Sequence, residues 1–295
     1  MRADVLIFTP HPDDGTIACG GVIQQALAAG RRVHIVVFTN GDGYPDAAAA
    51  LSGKAIESLE PQDFLELGRR RQSEELAADA LLGLSPGDVS FLGYPDAGLD
   101  KVYLARGNTP FTQRFTQKNE TYGPVRTDYH SLTHGRPAPY LWRSALGDAM
   151  EFIERFAPTE IYVSSEADTH LDHMAAFLFV RDAVAELGYR GKLYSYLVHT
   201  DPYSVYPWPY GATPEEPLEL CSALADDAPV ASLPWPPPRR VQITPEQAER
   251  KLKALQSHHS QLDLGAERYY LESFVKSEEA FWPFDAAGLV LTTRH

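Results

Sequence analysis

The stretch ADVLIFTPHPDDGTIACGG, residues 3–21, joins a short apolar run to His11, Asp13 and Asp14 and then to the start of a helix. A buried strand that stops at an imidazole and two carboxylates carries a cost, because crowded like charges repel and desolvate poorly. A divalent cation would offset that cost. Pro12 fixes its own φ and ends the strand, so the flanking side chains fan out from a rigid turn. Taken alone, the motif also reads as a strand end followed by a helix cap, with Asp14 satisfying free amides.

Outward from this stretch, apolar β-branched or aromatic runs recur at VLIF (5–8), VHIVVF (33–38), VSFLGY (89–94), EIYVSS (160–165) and KLYSYLV (192–198). Helical patterns lie between them at 16–29, 62–82, about 141–156 and about 173–187, several followed by glycine as a stop signal. A further helix is predicted over 245–260, with Pro245 in its first turn. Strands alternating with helices predict an α/β fold. The expected form is a Rossmann-like three-layer sandwich with a mostly parallel sheet and its active site at the strand C-terminal ends. One domain over 1–295 is expected, interrupted by a long loop at 99–138 and a Pro-rich segment at 201–240 that holds 10 of the 23 prolines. Each is either a substrate wall or a loop packed for stability.

A second polar cluster, DTHLDH (168–173), follows the fourth strand and opens a helix. The fold therefore predicts that two clusters some 160 residues apart share one rim of the sheet. His170 and His173 fall one helical turn apart, on one face. His, His and Asp around one ion, with water completing the shell, is a catalytic rather than a structural pattern. A carboxylate left over can accept the water's proton, and a histidine left over can stabilise an oxyanion or protonate a leaving amine. Alone, HxDH at a helix start also reads as a capping arrangement. On a shared rim, both plain readings would have to hold at once.

Composition narrows the classes. The formal net charge of -14 argues against a phosphate-backbone binder, so no nucleic acid is expected. Cys19 and Cys221 are the only cysteines, which rules out a disulfide framework or a Cys-rich zinc site. No apolar stretch approaches the ~20 residues of a membrane span, and the N-terminal apolar run is too short for a signal core. A cytoplasmic protein is expected, and the chain is compatible with a homo-oligomer. A nucleotide-binding turn is disfavoured because two carboxylates sit where phosphate would, without GxGxxG spacing.

TPHPDD followed by TIACGG, together with THLDH, resembles the LmbE-like (PIG-L) family of zinc-dependent N-acetylglucosaminyl deacetylases. RQSEELAADALLG (71–83), FLGYPDAGL (91–99) and KLKALQSHHSQ (251–261) follow the same layout; 100–138 and 201–240 do not clearly do so. The resemblance implies a metal-dependent hydrolase acting on a small-molecule amino-sugar conjugate by attack of metal-bound water on the acetamide. It implies His11, Asp14 and His173 as ligands of Zn2+, with Fe2+, Mn2+ or Co2+ as alternatives. Asp13 would be the general base, His170 the oxyanion stabiliser or acid, and Asp172 the carboxylate that orients His170. Arg71 and Asp96 match positions that contact sugar hydroxyls. Their plain readings are a surface pair with Glu74 or Glu75, and a turn-forming Asp.

This chain departs from the family at Gly15, where Glu is usual, and at Asp168–Thr169, where some members carry a mobile Tyr; Tyr122 or Tyr129 is a candidate replacement. His130, His134 and His199 are further candidates for reaching substrate, whereas His34, His258 and His259 read as packing or surface residues. Trp208, Trp235 and the Tyr-rich stretch 203–210 offer rings for stacking on a sugar, or simply for packing. The alternatives are an amidase acting on a bulkier amide of a thiol-sugar conjugate, and a non-catalytic sugar- or nucleotide-binding protein.

Overall fold

A computed structural model describes residues 3–200, 205–221, 232–265 and 267–290. In chain order the elements are β1 (Val5–Thr9), α1 (Asp14–Ala28), β2 (Val33–Thr39), α2 (Pro45–Ser52), α3 (Pro61–Leu82), β3 (Val89–Tyr94), α4 (Leu99–Leu104), α5 (Tyr129–His134) and α6 (Trp142–Phe156). They continue with β4 (Glu160–Ser164), α7 (Leu171–Glu186), β5 (Lys192–Tyr196), β6 (Arg239–Gln242), α8 (Pro245–Leu255), α9 (His259–Leu262), α10 (Glu267–Glu272) and β7 (Glu278–Pro283). The strands form one sheet in the order β3-β2-β1-β4-β5-β7-β6. The first five run parallel, and β7 is antiparallel to both β5 and β6.

Alternation along β1 shows why three layers form. Val5 and Ile7 pack with Ile17, Val22 and Ile23 of α1. Leu6 and Phe8 point the other way, onto Leu146 and Phe152 of α6 and Phe179 and Val180 of α7. Each side chain so buried contributes about 1.5–3 kcal/mol, enough to hold helices on both faces. The chain leaves β1 toward β2 on one side and returns through β4 on the other. That reversal opens a crevice beyond the carboxyl ends of β1 and β4, where ligands bind in such sheets.

The C-terminal part departs from the sequence reading. Strands β6 and β7 were not expected, because β7 carries Glu278 and Glu279 in its buried stretch. Glu279 is paired there: it accepts from the backbone N–H of Gly21 (2.7 Å) and Val22 (2.9 Å) and from Lys251 Nζ (2.7 Å). Gly21 allows this approach, since a Cβ there would stand 3.1 Å from Glu279 Cδ and Oε2, and 2.3 Å from Ile243 Cγ2 packed beside it. The helix expected over 245–260 ends at Leu255, because His258 leaves helical geometry and is buried 3.8 Å from Glu75 before α9 begins. The 99–138 loop contains α4 and α5 and rejoins the core through a bridge between Glu120 and Pro139. Part of the Pro-rich segment, 201–204 and 222–231, lies outside the described residues.

His34 is a packed strand residue, stacked on Phe156 (4.3 Å between ring centres) and hydrogen-bonded to Ser90 Oγ (3.0 Å). Burial pulls its pKa from 6.5 down to about 4. Between those values the unfolded chain binds more protons than the folded one. Stability from this group is therefore present above pH 6.5 and lost on acidification, by about 2 kcal/mol between pH 7 and pH 5. In urea unfolding, His34→Gln should lose about 2 kcal/mol less than the parent over that change. Equal pH slopes for the two proteins would refute the assignment.

Candidate metal centre and pocket

His11 and Asp14 leave the end of β1, and His173 lies in the first turn of α7. His11 Nδ1 lies 3.1 Å from His173 Nε2, and Asp14 Oδ2 lies 3.4 Å from the first and 3.3 Å from the second. Ligands held tetrahedrally at 2.0–2.2 Å from zinc stand roughly 3.3–3.6 Å apart, so three donor atoms already span a coordination face. The two clusters that the sequence separates by some 160 residues meet on one rim.

The far nitrogen of each imidazole faces a carboxylate. His11 Nε2 lies 3.1 Å from Asp96 Oδ1 and 3.5 Å from Asp172 Oδ2. His173 Nδ1 lies 3.0 Å from Asp168 Oδ2. Asp168 holds the N–H of His173 on Nδ1 and leaves Nε2 as a lone pair, whereas His11 Nε2 lies close to two carboxylates without an aligned hydrogen bond. His173 Nε2 and His11 Nδ1 converge with Asp14. The buried carboxylates of Asp13, Asp14, Asp96, Asp168 and Asp172 gather here with the buried guanidinium of Arg71. Such an excess of buried negative charge recruits cations. Burial lowers the pKa of His173, but Asp14 and Asp168 outweigh it and raise it to about 9. Asp14 is pushed up by burial and brought well below the usual range by His173 and His11. The donor set fits a divalent ion.

Asp13 stands beside these donors at φ 143°, ψ -33°, a conformation that costs of order 1–3 kcal/mol and persists only when its surroundings enforce it. Ile17 N donates to Asp13 O (2.9 Å), and His11 N donates to Asp14 Oδ2 (2.9 Å). Arg71 Nη2 reaches both Asp13 Oδ2 (2.8 Å) and Pro12 O (3.2 Å). Burial pushes the Asp13 carboxyl up to about 7, against the pull of Arg71. The turn has room for a side chain at Gly15: a Cβ there would meet Thr9 Cγ2 at 3.4 Å and Ile35 Cδ1 at 3.6 Å, ordinary contacts.

His170 caps α7, its Nδ1 accepting from Asp172 N (3.3 Å), so the ring hydrogen sits on Nε2. Burial and the neighbouring imidazoles of His11, His173 and His199 lower its pKa to about 2, so this histidine stays neutral. The expected pairing of Asp172 with His170 is not formed. The Asp172 carboxylate instead accepts from Ala97 N (2.7 Å) and Leu99 N (2.9 Å) and faces His11. Asp96, expected on sugar hydroxyls, is taken up by His11 and by the N–H groups of Gly43 and Ala97. Arg71 turns inward to Asp13, while its neighbour Arg70 makes the surface pair with Glu74 (2.6 Å).

A cavity of about 240 Å³ opens over these groups, lined by His11, Asp13, Asp14, Arg71, Asp96 and His170 at its floor. Gly43, Tyr44 and Ala97 form one wall, and Val198, His199, Gln261 and Leu271 form another. His199 reaches the rim from the end of β5, its ring 4.7 Å from that of His173. The other histidine candidates do not. His130 pairs with Asp148 (2.8 Å) and His134 with Glu151 (3.0 Å), both on α6. Tyr122 binds Asp42 and Tyr129 packs on Phe152, so Tyr44 is the tyrosine that lines the cavity. The 99–138 loop acts through support: Gln113 Nε2 donates to Asp96 O (2.9 Å).

Sequence reasoning missed Asp168 as a partner of His173. Its signal was its place, the first carboxylate of the DTHLDH cluster just past β4. Asp168 Oδ2 also accepts from Val198 N and His199 N (3.0 Å each), tying β5 to the site. Gln261 closes the KLKALQSHHSQ stretch singled out in the sequence, whereas Leu271 carried no signal, because only the folded C-terminal region brings it to the rim.

Residues 6–184 match the family described as PIG-L: GlcNAc-PI de-N-acetylase. The chain is 27% identical over 188 residues to 2'-N-acetylparomamine deacetylase of Streptomyces fradiae, a match covering 63% of this chain and about half (54%) of that relative's length. Among solved structures it resembles N,N'-diacetylchitobiose deacetylase from Pyrococcus horikoshii complexed with its inhibitor MPG. That likeness has a TM-score of 0.56 and 20% identity, over 96% of this chain and 84% of the other. It also resembles the 4-carboxy-2-hydroxymuconate hydratase from Pseudomonas putida KT2440, with a TM-score of 0.50 and 18% identity, over 92% and 83%. At such identities the likeness shows a shared fold, and a fold that hosts a hydratase does not dictate the reaction. Among the described residues, no helix is long and apolar enough to cross a membrane.

Proposed function

The chain belongs to the PIG-L family, and from that premise we propose that it is a metal-dependent hydrolase that removes the acetyl group from an N-acetylated amino-sugar conjugate. One observation carries this reading: the convergence of His11 Nδ1, His173 Nε2 and Asp14 Oδ2 within 3.1–3.4 Å beside a strained, buried Asp13. His11, Asp14 and His173 would hold the ion. Zn2+ suits this N/O donor set, with Fe2+, Mn2+ and Co2+ as alternatives. When bound, such an ion polarises an acyl oxygen and lowers the pKa of water.

The remaining work belongs to the chain's own side chains. Asp13 takes a proton from the attacking water at a carboxylate oxygen; in the metal-free protein burial pushes its carboxyl up to about 7, which makes it more basic than an exposed aspartate. Arg71 holds that carboxylate in its orientation. His170, neutral and with its hydrogen on Nε2, donates to the oxyanion as the acetamide carbon becomes tetrahedral. As the C–N bond breaks, the proton on Asp13 passes to the departing amine, leaving acetate and a free amino sugar. Asp168 holds His173 through a hydrogen bond, and Asp96 with Asp172 places negative charge beside His11.

The test is acetate release, together with elemental analysis, across N-acetylglucosamine, its glycosides and bulkier N-acyl conjugates. The expected result is acetate and amine in equal amounts from at least one N-acetyl sugar by protein carrying one ion per chain. Metal-loaded protein that releases nothing across the panel would overturn the reading. Asp168→Asn keeps an acceptor for Val198 and His199 but removes the charge facing His173. It should weaken metal affinity about 10–100-fold, measured by chelator competition; unchanged affinity would remove Asp168 from this role.

A further inference from the structure

Away from the cavity, α5 and α6 face each other with four side chains able to ligate a metal. His130 and His134 stand four residues apart on α5, so both project from one face, with ring centres 4.2 Å apart. Asp148 and Glu151 stand three residues apart on α6 and meet them. His130 Nδ1 lies 2.8 Å from Asp148 Oδ1, and His134 Nε2 lies 3.0 Å from Glu151 Oε1 and 3.1 Å from Oε2. One donor atom from each of His130, His134 and Asp148 fall within 4.8 Å of one another. Ligands around a four-coordinate ion stand roughly 3.3–3.6 Å apart, so the group has to close by about 1 Å. The His134 side chain, 38% exposed, is free to make that shift.

The carboxylates are aimed from behind. Tyr94 Oη donates to Asp148 Oδ2 (2.6 Å), and Tyr129 Oη donates to Glu151 Oε2 (3.2 Å). Each hydroxyl engages one oxygen and leaves the other to the imidazoles, the kind of outer contact that orients carboxylate ligands around an ion. Both ends of α5 are secured as well. Asp128 accepts from Ser131 N (3.0 Å) and Thr121 Oγ1 (2.8 Å), and Gly135 closes the helix at φ 72°. Two separate surface ion pairs have no use for adjacent imidazoles, which repel when both are protonated. Neutral imidazoles side by side present lone pairs to one shared ion.

We propose that His130, His134, Asp148 and Glu151 form a second divalent-cation site, separate from the catalytic centre, that clamps the 99–138 loop to α6. Two imidazoles with two carboxylates suit an ion such as Zn2+, Co2+ or Ni2+, and HxxxH on one helical face is itself a chelating spacing. The Glu151 side chain is 40% exposed, so solvent reaches the site directly from its edge. The same exposure makes this the weaker of the two sites, because the imidazoles give up hydrogen bonds and water competes for the ion. Dialysis therefore empties it and leaves the catalytic ion in place. The inference is independent of the reaction.

The test is calorimetric titration of dialysed protein with Zn2+ alone. Parent is compared with His134→Ala, the His130→Asn/His134→Ala double variant and His259→Ala. His259, on α9, faces Asp263 at the surface (3.9 Å) and controls for uptake by exposed histidines in general. The parent should bind one Zn2+ per chain in this titration, and its melting temperature should rise with added Zn2+. His134→Ala should bind that ion at least tenfold more weakly and lose most of the rise, the double variant should lose both, and His259→Ala should match the parent. His134 is exposed, so its replacement decides the matter even if the double variant fails to fold. No uptake by the parent, parental affinity in His134→Ala, or an equal loss in His259→Ala overturns the site. Uptake that depends on His134 in a protein that releases no acetate upholds the site and counts only against the deacetylase reading.

Discussion

Replacing Asp13 by Asn is expected to cut acetate release by about 10²–10⁴-fold while one metal ion per chain is retained. Asn has the same shape, and its carbonyl oxygen can still accept from Arg71 Nη2, which now holds Asp13 Oδ2 at 2.8 Å. It has no basic oxygen to receive a proton. The neighbouring donors at His11, Asp14 and His173 are untouched, so metal content separates loss of the base from loss of the site. Asn also avoids burying a carboxylate, so the metal-free variant should melt no lower than the parent. An Asp13→Asn protein within tenfold of parental activity would remove Asp13 from the proton-transfer role.

Replacing His173 by Ala is expected to abolish tight metal binding and, with it, measurable deacetylation. Two of three protein donors are too few for a catalytic site of this type. The loss also leaves Asp14 and Asp168 facing each other without the imidazole between them. Breaking a buried charged cluster in this way costs about 3–5 kcal/mol, several degrees in melting temperature for a chain of this size. In metal-free protein the penalty depends on pH in a definite direction. Burial lowers the His173 pKa and Asp14 and Asp168 raise it to about 9 against an unperturbed 6.5. Stability from its proton is fully present below pH 6.5 and is lost as pH rises through about 9. The melting difference between parent and variant should therefore be larger at pH 6 than at pH 9.5. If the variant does not fold, His173→Gln, which keeps a polar side chain, should show the same loss of metal. Either variant retaining one ion per chain with parental affinity would refute the ligand assignment.

The candidate ligand types were legible because local spacing exposes them. An imidazole and two carboxylates directly after a β-branched run, and HxDH directly after another, have few structural uses in combination. Arg71, Asp96 and Asp172 were also candidates, and the structure places them at this rim, yet their partners were not foreseen. Which oxygen meets which nitrogen depends on the adjacency of β1, β4 and the turn after β3, and a one-dimensional pattern does not encode it. Asp168 illustrates the limit: it lies five residues before His173, and only the turn into α7 brings its carboxylate to within 3.0 Å of His173 Nδ1. The strands β6 and β7 escaped for a related reason. Their buried charges look like surface positions until Lys251 and the N–H groups of α1 are seen to neutralise them.

By itself the sequence determined the α/β alternation, the parallel core strands, the rim on which both polar clusters emerge, and the residue types able to hold a cation. These follow from short-range physics: the period of apolar residues, the stop signals of proline and glycine, and the chemistry of each side chain. The tertiary structure alone decided which nitrogen of His11 and of His173 faces the candidate ion site, which carboxylates lie beside which ring, and that Gln261 and Leu271 border the pocket. Those are properties of contacts between segments far apart in the chain, set by how the sheet reverses at β1 and β4 and how the C-terminal region folds back across its edge.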